Sequence, residues 1–424
     1  MSVSALAQTD GSAISFYQEQ GQLIRGSRGV TALGDQLFGD RVDLYTGALS
    51  FSQTDISLPG NSGLEVAVRR QYTAGRKFIV GHFGDWDLDL PRISGNYATS
   101  NGWVGRMNTG GRCSNFGAPG AAYASNGSDA WPDYLYWSGV HLTAPGGGGE
   151  VLSRHSSNTQ APTDGQSYAL VTRGGWQIRC LPTIANGSGE GFVALSPEGV
   201  QYRFNWLASR FMRPLSKTPS VNLPRREFWM LPTEVRDRFG NTVTYTYDAA
   251  DPWKVTKIQA SDGRTLSFTY IASADGKPRI QSVSDGRRTW TYTYADGKRL
   301  SSVTQPDNSQ WTFNLSGFEV FYPTMDSGAS CLGGPGDYPE TKVYTGTMTH
   351  PSGATGSFGT RFIQHGRTLP GDGKPTCINL IPPNKVSGVE GAKDFAVTPT
   401  NWYTQALETK TISGPGLADR TWTF

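Results

Sequence analysis

The chain has 424 residues, enough for two or three domains, and its formal net charge at pH 7 is only +3. Charged residues make up 17% and aromatic residues 12% of the chain, with 53 glycines and 25 prolines. The many aromatic rings exclude a disordered chain, the small net charge argues against nucleic-acid binding, and the abundance of turn residues favours an all-β fold.

Residues 1–37 are predicted to form a flexible N-terminal segment. Residues 4–8 read Ser-Ala-Leu-Ala-Gln, which is typical of the small-residue site where a secretory signal is cleaved. The apolar stretch that precedes such a site is missing from the sequence, so a chance match in a flexible segment is the alternative. No apolar run in the chain approaches the about 20 residues of a transmembrane helix.

Residues 38–230 are predicted to form a β-rich region with many loops. Within it, Asp85, Asp87 and Asp89 alternate with apolar residues, so a strand would place their carboxylates on one face, about 7 Å apart. Such a row could bind calcium or supply the paired carboxylates of a glycosidase. We favour a third interpretation, in which the acids face water and the apolar residues turn inward. Accordingly, no catalytic, cofactor-binding or metal-binding residue is predicted.

Residues 94–190 are rich in Gly, Ser, Asn and Ala, which predicts long loops on short strands. The four cysteines of the chain are Cys113, Cys180, Cys331 and Cys377. None of them forms a Cys-x-x-Cys pair, which excludes zinc ribbons and thioredoxin-like motifs. Two disulfides in an oxidising compartment and four unpaired thiols both fit the sequence.

From residue 231 to residue 424 the sequence repeats a unit of about 23 residues. Each unit has an apolar segment, a turn with Gly or Asn, and a segment in which aromatic residues alternate with Thr or Ser. The turn residues are Gly240, Gly263, Gly286 and Asn308, which are 23, 23 and 22 residues apart, followed by Gly353 and Gly416 in weaker copies.

Each unit is predicted to be a β-hairpin, because Gly and Asn tolerate the positive φ of tight turns. Alternation with a period of two places the rings on one face and the hydroxyls on the other. A single hairpin cannot bury its aromatic face alone, so successive hairpins are expected to stack side by side. We interpret the rings as core residues and not as a platform for sugars.

The unit resembles the RHS repeats, also called YD repeats, of bacterial RHS proteins, of the C-type subunits of Tc toxins and of teneurin shells. Residues 245–248 (Tyr-Thr-Tyr-Asp) and the Asp-Gly-Arg triplets at 262–264 and 285–287 carry the resemblance. Four segments of the first half are similar to the part that opens the shell in RHS proteins: residues 43–50, 54–60, 64–72 and 84–93.

The resemblance implies a hollow β-shell that encloses a toxin segment. At about 4.8 Å per strand, residues 231–424 are too few to close one turn of such a shell. The expected architecture is therefore an all-β array of stacked hairpins forming part of an open or incomplete shell. An open sheet edge predicts self-association or pairing with the missing remainder of the shell.

These observations favour a structural, non-catalytic shell segment of a secreted or cell-surface protein, with an enclosed toxin or another polypeptide as its partner. No cofactor is expected. The first alternative is an adhesin or a glycan- or protein-binding module that uses the loops of residues 94–190. The second is an enzyme, such as a glycosidase that uses Asp85, Asp87 and Asp89.

Overall fold

The computed structural model describes residues 37–75, 81–124, 127, 130–145, 147–154, 161–218, 221–273, 276–319, 342–366 and 401–424. Residues 4–8, Cys331 and Cys377 lie outside these ranges. Nearly all regular structure within them is β, which confirms the all-β fold class. No helix in the described ranges is long and apolar enough to cross a membrane.

The strands are β1 (Asp40–Val42), β2 (Leu49–Leu58), β3 (Val66–Thr73), β4 (Asp87–Leu88), β5 (Arg92–Ala98), β6 (Ala122–Tyr123), β7 (Ala130–Trp131), β8 (Val140–Ala144), β9 (Gly147–Ser153), β10 (Leu170–Thr172), β11 (Gln177–Leu181), β12 (Gly191–Leu195), β13 (Gln201–Thr218), β14 (Val221–Arg236), β15 (Thr242–Tyr247), β16 (Val255–Ala260), β17 (Thr265–Ala272), β18 (Pro278–Ser284), β19 (Thr289–Ala295), β20 (Arg299–Thr304), β21 (Gln310–Asn314), β22 (Tyr344–Thr349), β23 (Thr355–Gly366), β24 (Asn401–Gly414) and β25 (Leu417–Thr423). One α-helical turn, α1 (Asp133–Tyr136), and 3₁₀ turns at Arg106–Asn108 and Ser316–Glu319 complete the described elements.

Strands β1 to β4 form a four-stranded antiparallel sheet in sequence order, which we call the inner sheet. Burial alternates along β3, where Val66, Val68, Arg70 and Tyr72 are buried and the residues that alternate with them are partly exposed. This alternation gives the sheet one apolar face, as a period of two requires.

Eight strands then close into a barrel in the order β5-β8-β9-β10-β11-β12-β13-β14. The barrel closes where residues 225–230 of β14 pair with residues 93–98 of β5. The short strands β6 and β7 and the turn α1 lie beside it, around a small second core that contains Trp131 and Tyr136.

Strand β14 is part of the barrel and also begins a second sheet. Beyond its contact with β5, residues 234–236 pair with residues 242–244 of β15 and so begin a second sheet. From there each strand pairs with the next as far as β25, and we call β14 to β25 the hairpin array. Residue 231, the predicted boundary between two domains, therefore lies inside a strand, and that domain boundary stays a prediction.

The hairpins of the array turn at the six residues that the repeat predicts. Their φ angles are all positive, from 67° at Asn308 to 92° at Gly263, which is the conformation for which Gly and Asn are suited. The rings face one way: Trp290 and Tyr292 of β19 are buried, whereas the threonines beside them are exposed. Stacked hairpins with a common ring-lined face are thereby confirmed.

Three tyrosine hydroxyls form hydrogen bonds between the two strands of their own repeat unit. Each lies near the end of the second strand of a unit and donates a hydrogen bond to a backbone carbonyl of the strand that opens the same unit. The pairs are Tyr247 to Pro232 O at 2.7 Å, Tyr270 to Val255 O at 2.8 Å and Tyr294 to Ile280 O at 2.5 Å. The tyrosine of the repeat therefore supplies a specific bond as well as apolar area.

The rings of β15, β17, β19 and β21, which we call the aromatic face, pack against the inner sheet and the segment that leads into β4. In that segment, Phe83 contacts Tyr292 at 4.6 Å between ring centroids, and Trp86 contacts Phe313 at 5.3 Å. The Tyr292 hydroxyl also donates to Asp55 of β2. In addition, the Arg264 guanidinium, from an Asp-Gly-Arg triplet, donates to the carbonyl oxygen of Leu58 at 2.8 Å. One continuous hydrophobic core thus joins the inner sheet, the barrel and the array.

Candidate functional site

A cluster of charged and aromatic side chains lies where the inner sheet, the barrel and the hairpin array meet. It consists of His82, Asp87, Arg210, Glu227 and Trp253, which we call the junction cluster. The Arg210 guanidinium donates to Asp87 Oδ2 at 2.5 Å and to Glu227 Oε2 at 2.6 Å. His82 Nε2 lies 3.0 Å from the carbonyl oxygen of Trp253, and its Nδ1 lies 3.4 Å from Asp87 Oδ1.

Aromatic rings enclose these charges. The His82 ring stacks on Trp253 with 4.5 Å between centroids, and the Arg210 guanidinium lies 4.7 Å from the centroid of Trp229. Burial raises the pKa of Asp87, but Arg210 and His82 lower it by more, so the net pKa lies well below its usual range. Asp87 is therefore ionised at neutral pH and holds Arg210 in place.

The junction cluster joins distant parts of the chain. Arg210 comes from β13 of the barrel, Asp87 from β4 of the inner sheet and Trp253 from the loop before β16 of the array. Sequence reasoning identified Asp87 but missed Arg210 and Trp253. The only local signal was an alternating apolar and charged pattern, which does not reveal partners 123 residues apart.

The expectation that the three acids face water is wrong for Asp85 and Asp87. Asp85 Oδ1 accepts the backbone N–H of Leu300 in the array at 2.8 Å. Burial raises the pKa of Asp85 to about 7, although that hydrogen bond lowers it. Asp89 is partly buried on the same strand face, with its backbone N–H bonded to Arg69 O. Asp85 and Asp87 thus have separate structural partners.

We expect Asp85→Asn to change the pH dependence of stability. The folded pKa of about 7 lies above the ordinary value of 3.8, so proton binding favours the folded state. This contribution is complete below about pH 4 and is lost as the pH rises through 7. Thermal unfolding should therefore show the variant gaining at least about 3 °C in Tm over the wild type between pH 5 and pH 8.

Asp89→Asn provides the matched control, because Asp89 is also partly buried and lies four residues further along the chain. Its Tm curve shows the effect of removing a neighbouring carboxylate, and the pH-dependent gain of Asp85→Asn is measured against that curve. Parallel Tm curves for Asp85→Asn and the wild type would contradict the role of Asp85.

A second buried ion pair lies between the inner sheet and the aromatic face. Arg70 donates to both carboxylate oxygens of Asp55, at 2.6 and 2.8 Å, and the Tyr292 hydroxyl donates to Asp55 Oδ2 at 3.0 Å. The Arg70 and Asp55 side chains are 0% and 2% exposed. The guanidinium also lies 4.7 Å from the centroid of Trp86. Burial and the Asp55 carboxylate raise the pKa of Tyr292, which keeps its hydroxyl protonated.

Of the cysteines, Cys113 and Cys180 form a disulfide between a loop of the barrel region and β11. The sequence was compatible with disulfides and with unpaired thiols, and the structure shows a disulfide between Cys113 and Cys180. The same loop is held by Glu190, whose Oε2 accepts the backbone N–H of Cys113 at 2.8 Å. Among the described residues, no group of three or more His, Cys, Asp or Glu side chains has an arrangement that could hold a metal ion.

The last strand of the array is the other feature with functional potential. Within the described residues, β25 pairs only with β24, and β5 pairs with β14 and β8, so the second edge of β25 carries no strand. Phe424 donates its backbone N–H to Glu408 O at 2.9 Å. Because antiparallel hydrogen bonds recur every second residue, the amide of Trp422 also faces β24, and those of Thr421 and Thr423 face away from it. This edge presents free donors and acceptors to another strand.

Comparison with known proteins gives no family assignment. No protein-family model matches the chain, and no curated protein matches it. Among solved structures, it is similar to chains in three crystal structures, those of TcdB2-TccC3, TcdB2-TccC3-Cdc42 and TcdB2-TccC3-TEV. The sequence identities are 13, 11 and 11%, the TM-scores 0.33, 0.33 and 0.28, and the matches cover 66, 77 and 80% of this chain.

The same matches cover 15, 19 and 17% of those other chains. This chain therefore spans less than a fifth of the length of the structures that it matches. TM-scores of this size do not establish a shared fold, so the fold class rests on the strand pairing described above.

Proposed function

We propose that the chain is a structural, non-catalytic segment of a β-shell that is extended at β25 and that helps to enclose or present a toxin or another polypeptide. The observation that carries this proposal is the one-sided pairing of β25, within the described residues, at the end of an array in which every earlier strand has at least two neighbours. Strand addition at such an edge supplies backbone hydrogen bonds to any incoming extended segment.

The contacts of the buried charged groups support a structural role. In the junction cluster, Asp87 of the inner sheet bonds to Arg210 of the barrel. Asp55, which pairs with Arg70 inside the inner sheet, accepts a hydrogen bond from Tyr292 of the array. Groups that are held in this way fix the position of the inner sheet against the array. The chain is accordingly proposed not to be an enzyme.

The disulfide supports a location outside the reducing cytosol. Structural disulfides form and persist in secreted, periplasmic and cell-surface proteins. The Cys113–Cys180 bond closes a sequence separation of 67 residues. We therefore propose that the protein is secreted or displayed at the cell surface, where an RHS-type shell with a polypeptide partner would function.

We expect the protein to self-associate through β25 in the absence of a partner, and Thr421→Pro to weaken this association. Proline removes the amide that faces away from β24, and its ring blocks an incoming strand. The dissociation constant, measured by size-exclusion chromatography with light scattering over a concentration series, should rise by about tenfold or more.

Thr421→Ala is the matched control, because it removes the same side chain but keeps the amide. It should associate like the wild type, and circular dichroism should show that both variants keep the β fold. A wild-type protein that stays monomeric at all concentrations, or a proline variant that associates as the wild type does, would refute edge pairing.

A further inference from the structure

A small pocket opens at the seam between the barrel and the hairpin array. Its volume is about 170 Å³, and it lies between the β13–β14 hairpin and the loops before β16 and β18. The residues that matter for its chemistry are Phe211, Arg226, Asp251, Trp253 and Lys277. The pocket is smaller than the about 300–1,000 Å³ clefts that take drug-sized ligands, so it suits a ligand with one ring.

Arg226 and Phe211 form a stacked pair in this pocket. The guanidinium lies 4.7 Å from the centroid of the Phe211 ring, which is 64% exposed. Arg226 Nε donates to Ser209 Oγ at 3.0 Å, which fixes the orientation of the guanidinium plane. Arg226 Nη2 also donates to the carbonyl oxygen of Ser209 at 3.4 Å. Among the described residues Arg226 forms no ion pair with a carboxylate, so its charge can serve a ligand anion.

The other charges of the pocket have different roles. Arg210, at its inner end, is already neutralised by Asp87 and Glu227. Lys277 adds a second cation to the lining. Asp251 supplies a carboxylate that is 34% exposed and lies 3.7 Å from Lys254 Nζ. The pocket therefore combines an anion-binding guanidinium, an exposed ring and a hydrogen-bond acceptor.

We propose that this pocket binds a monosaccharide that carries a carboxylate, either free or as the end of a glycan. The ligand carboxylate pairs with Arg226, which can donate two parallel hydrogen bonds to it. An apolar face of the sugar ring packs against Phe211, and sugar hydroxyls donate to Asp251. A simple carboxylate such as acetate can pair with Arg226, but it has no hydroxyl donor for Asp251 and no ring to pack on Phe211. This pocket is distinct from the loops of residues 94–190, which a glycan-binding module was expected to use.

The first experiment compares ligands that differ in one group. Binding of glucuronate, glucose and acetate to the full chain is measured by ligand-observed NMR titration. Glucuronate should bind, whereas glucose, which lacks the carboxylate, and acetate, which lacks the ring, should bind at least about tenfold more weakly. Equal binding of acetate and glucuronate, or no glucuronate binding up to about 20 mM, overturns the proposal.

The second experiment locates the site with paired variants. Arg226→Gln and Phe211→Ala should each raise the dissociation constant of glucuronate, by about tenfold or more for the arginine. Arg238→Gln and Phe239→Ala are the controls, because Arg238 lies 4.9 Å from the exposed Phe239 ring in a turn that does not line the pocket. Both controls should bind like the wild type. Glucuronate binding that survives Arg226→Gln unchanged refutes this site.

Discussion

Replacing Arg70 by methionine is expected to reduce the free energy of unfolding by about 3–5 kcal/mol. The substitution leaves the Asp55 carboxylate, which is 2% exposed, without its cation in the core between the inner sheet and the array. The remaining donor to that carboxylate is the Tyr292 hydroxyl at 3.0 Å. Urea unfolding followed by tryptophan fluorescence measures the change.

The double variant Asp55→Leu/Arg70→Met separates the loss of a charge partner from the loss of packing. It removes both charges and is expected to be more stable than Arg70→Met alone, because no unpaired charge remains buried. A single variant that costs less than about 1 kcal/mol, or a double variant less stable than the single one, would contradict this account of the pair.

Removing the disulfide with Cys113→Ala/Cys180→Ala is expected to cost about 4 kcal/mol. The bond closes a sequence separation of 67 residues, and the loss restores the chain entropy of that loop to the unfolded state. The hydrogen bond from the Cys113 amide to Glu190 is made by the backbone, so the alanine variant can keep it and hold the loop near its native position.

The measurement is the urea midpoint with and without dithiothreitol. The reductant should lower the midpoint of the wild type to that of the double alanine variant measured in the same reductant, because Cys331 and Cys377 are then reduced in both proteins. A wild-type midpoint that does not respond to complete reduction would contradict a stabilising disulfide.

The hairpin array could be predicted from the sequence because its determinants are local. A Gly or Asn at each turn and alternating rings after it specify a hairpin and the identity of its buried face. Gly353 and Gly416, in the weakest copies, also lie in the turns of hairpins, between β22 and β23 and between β24 and β25. For the turns and the buried faces of the hairpins, the sequence pattern and the structure therefore agree.

What covers the aromatic face could not be predicted from the same pattern. A period of two shows that Phe313 and Tyr292 turn to an apolar partner, but it does not identify Phe83 and Trp86 as that partner. The barrel could not be predicted either, because its closure depends on the pairing of β5 with β14, more than one hundred residues later in the chain. Likewise, Asp87 in a strand looks like a solvent-exposed acid until the position of Arg210 is known.

The inner sheet precedes the hairpin array in the chain, and this order has a consequence for folding during synthesis. Lys410 pairs with Asp40 from a position 370 residues later, and Thr404 bonds to Thr46 from 358 residues later. At about 5–20 residues per second, the ribosome needs roughly 20–70 s to make that interval. Until then the apolar side of β2 and β3 lacks its final neighbours. Contacts of such long range slow folding, and the inner sheet, although it is synthesised before the array, is thus among the last parts to reach its native packing.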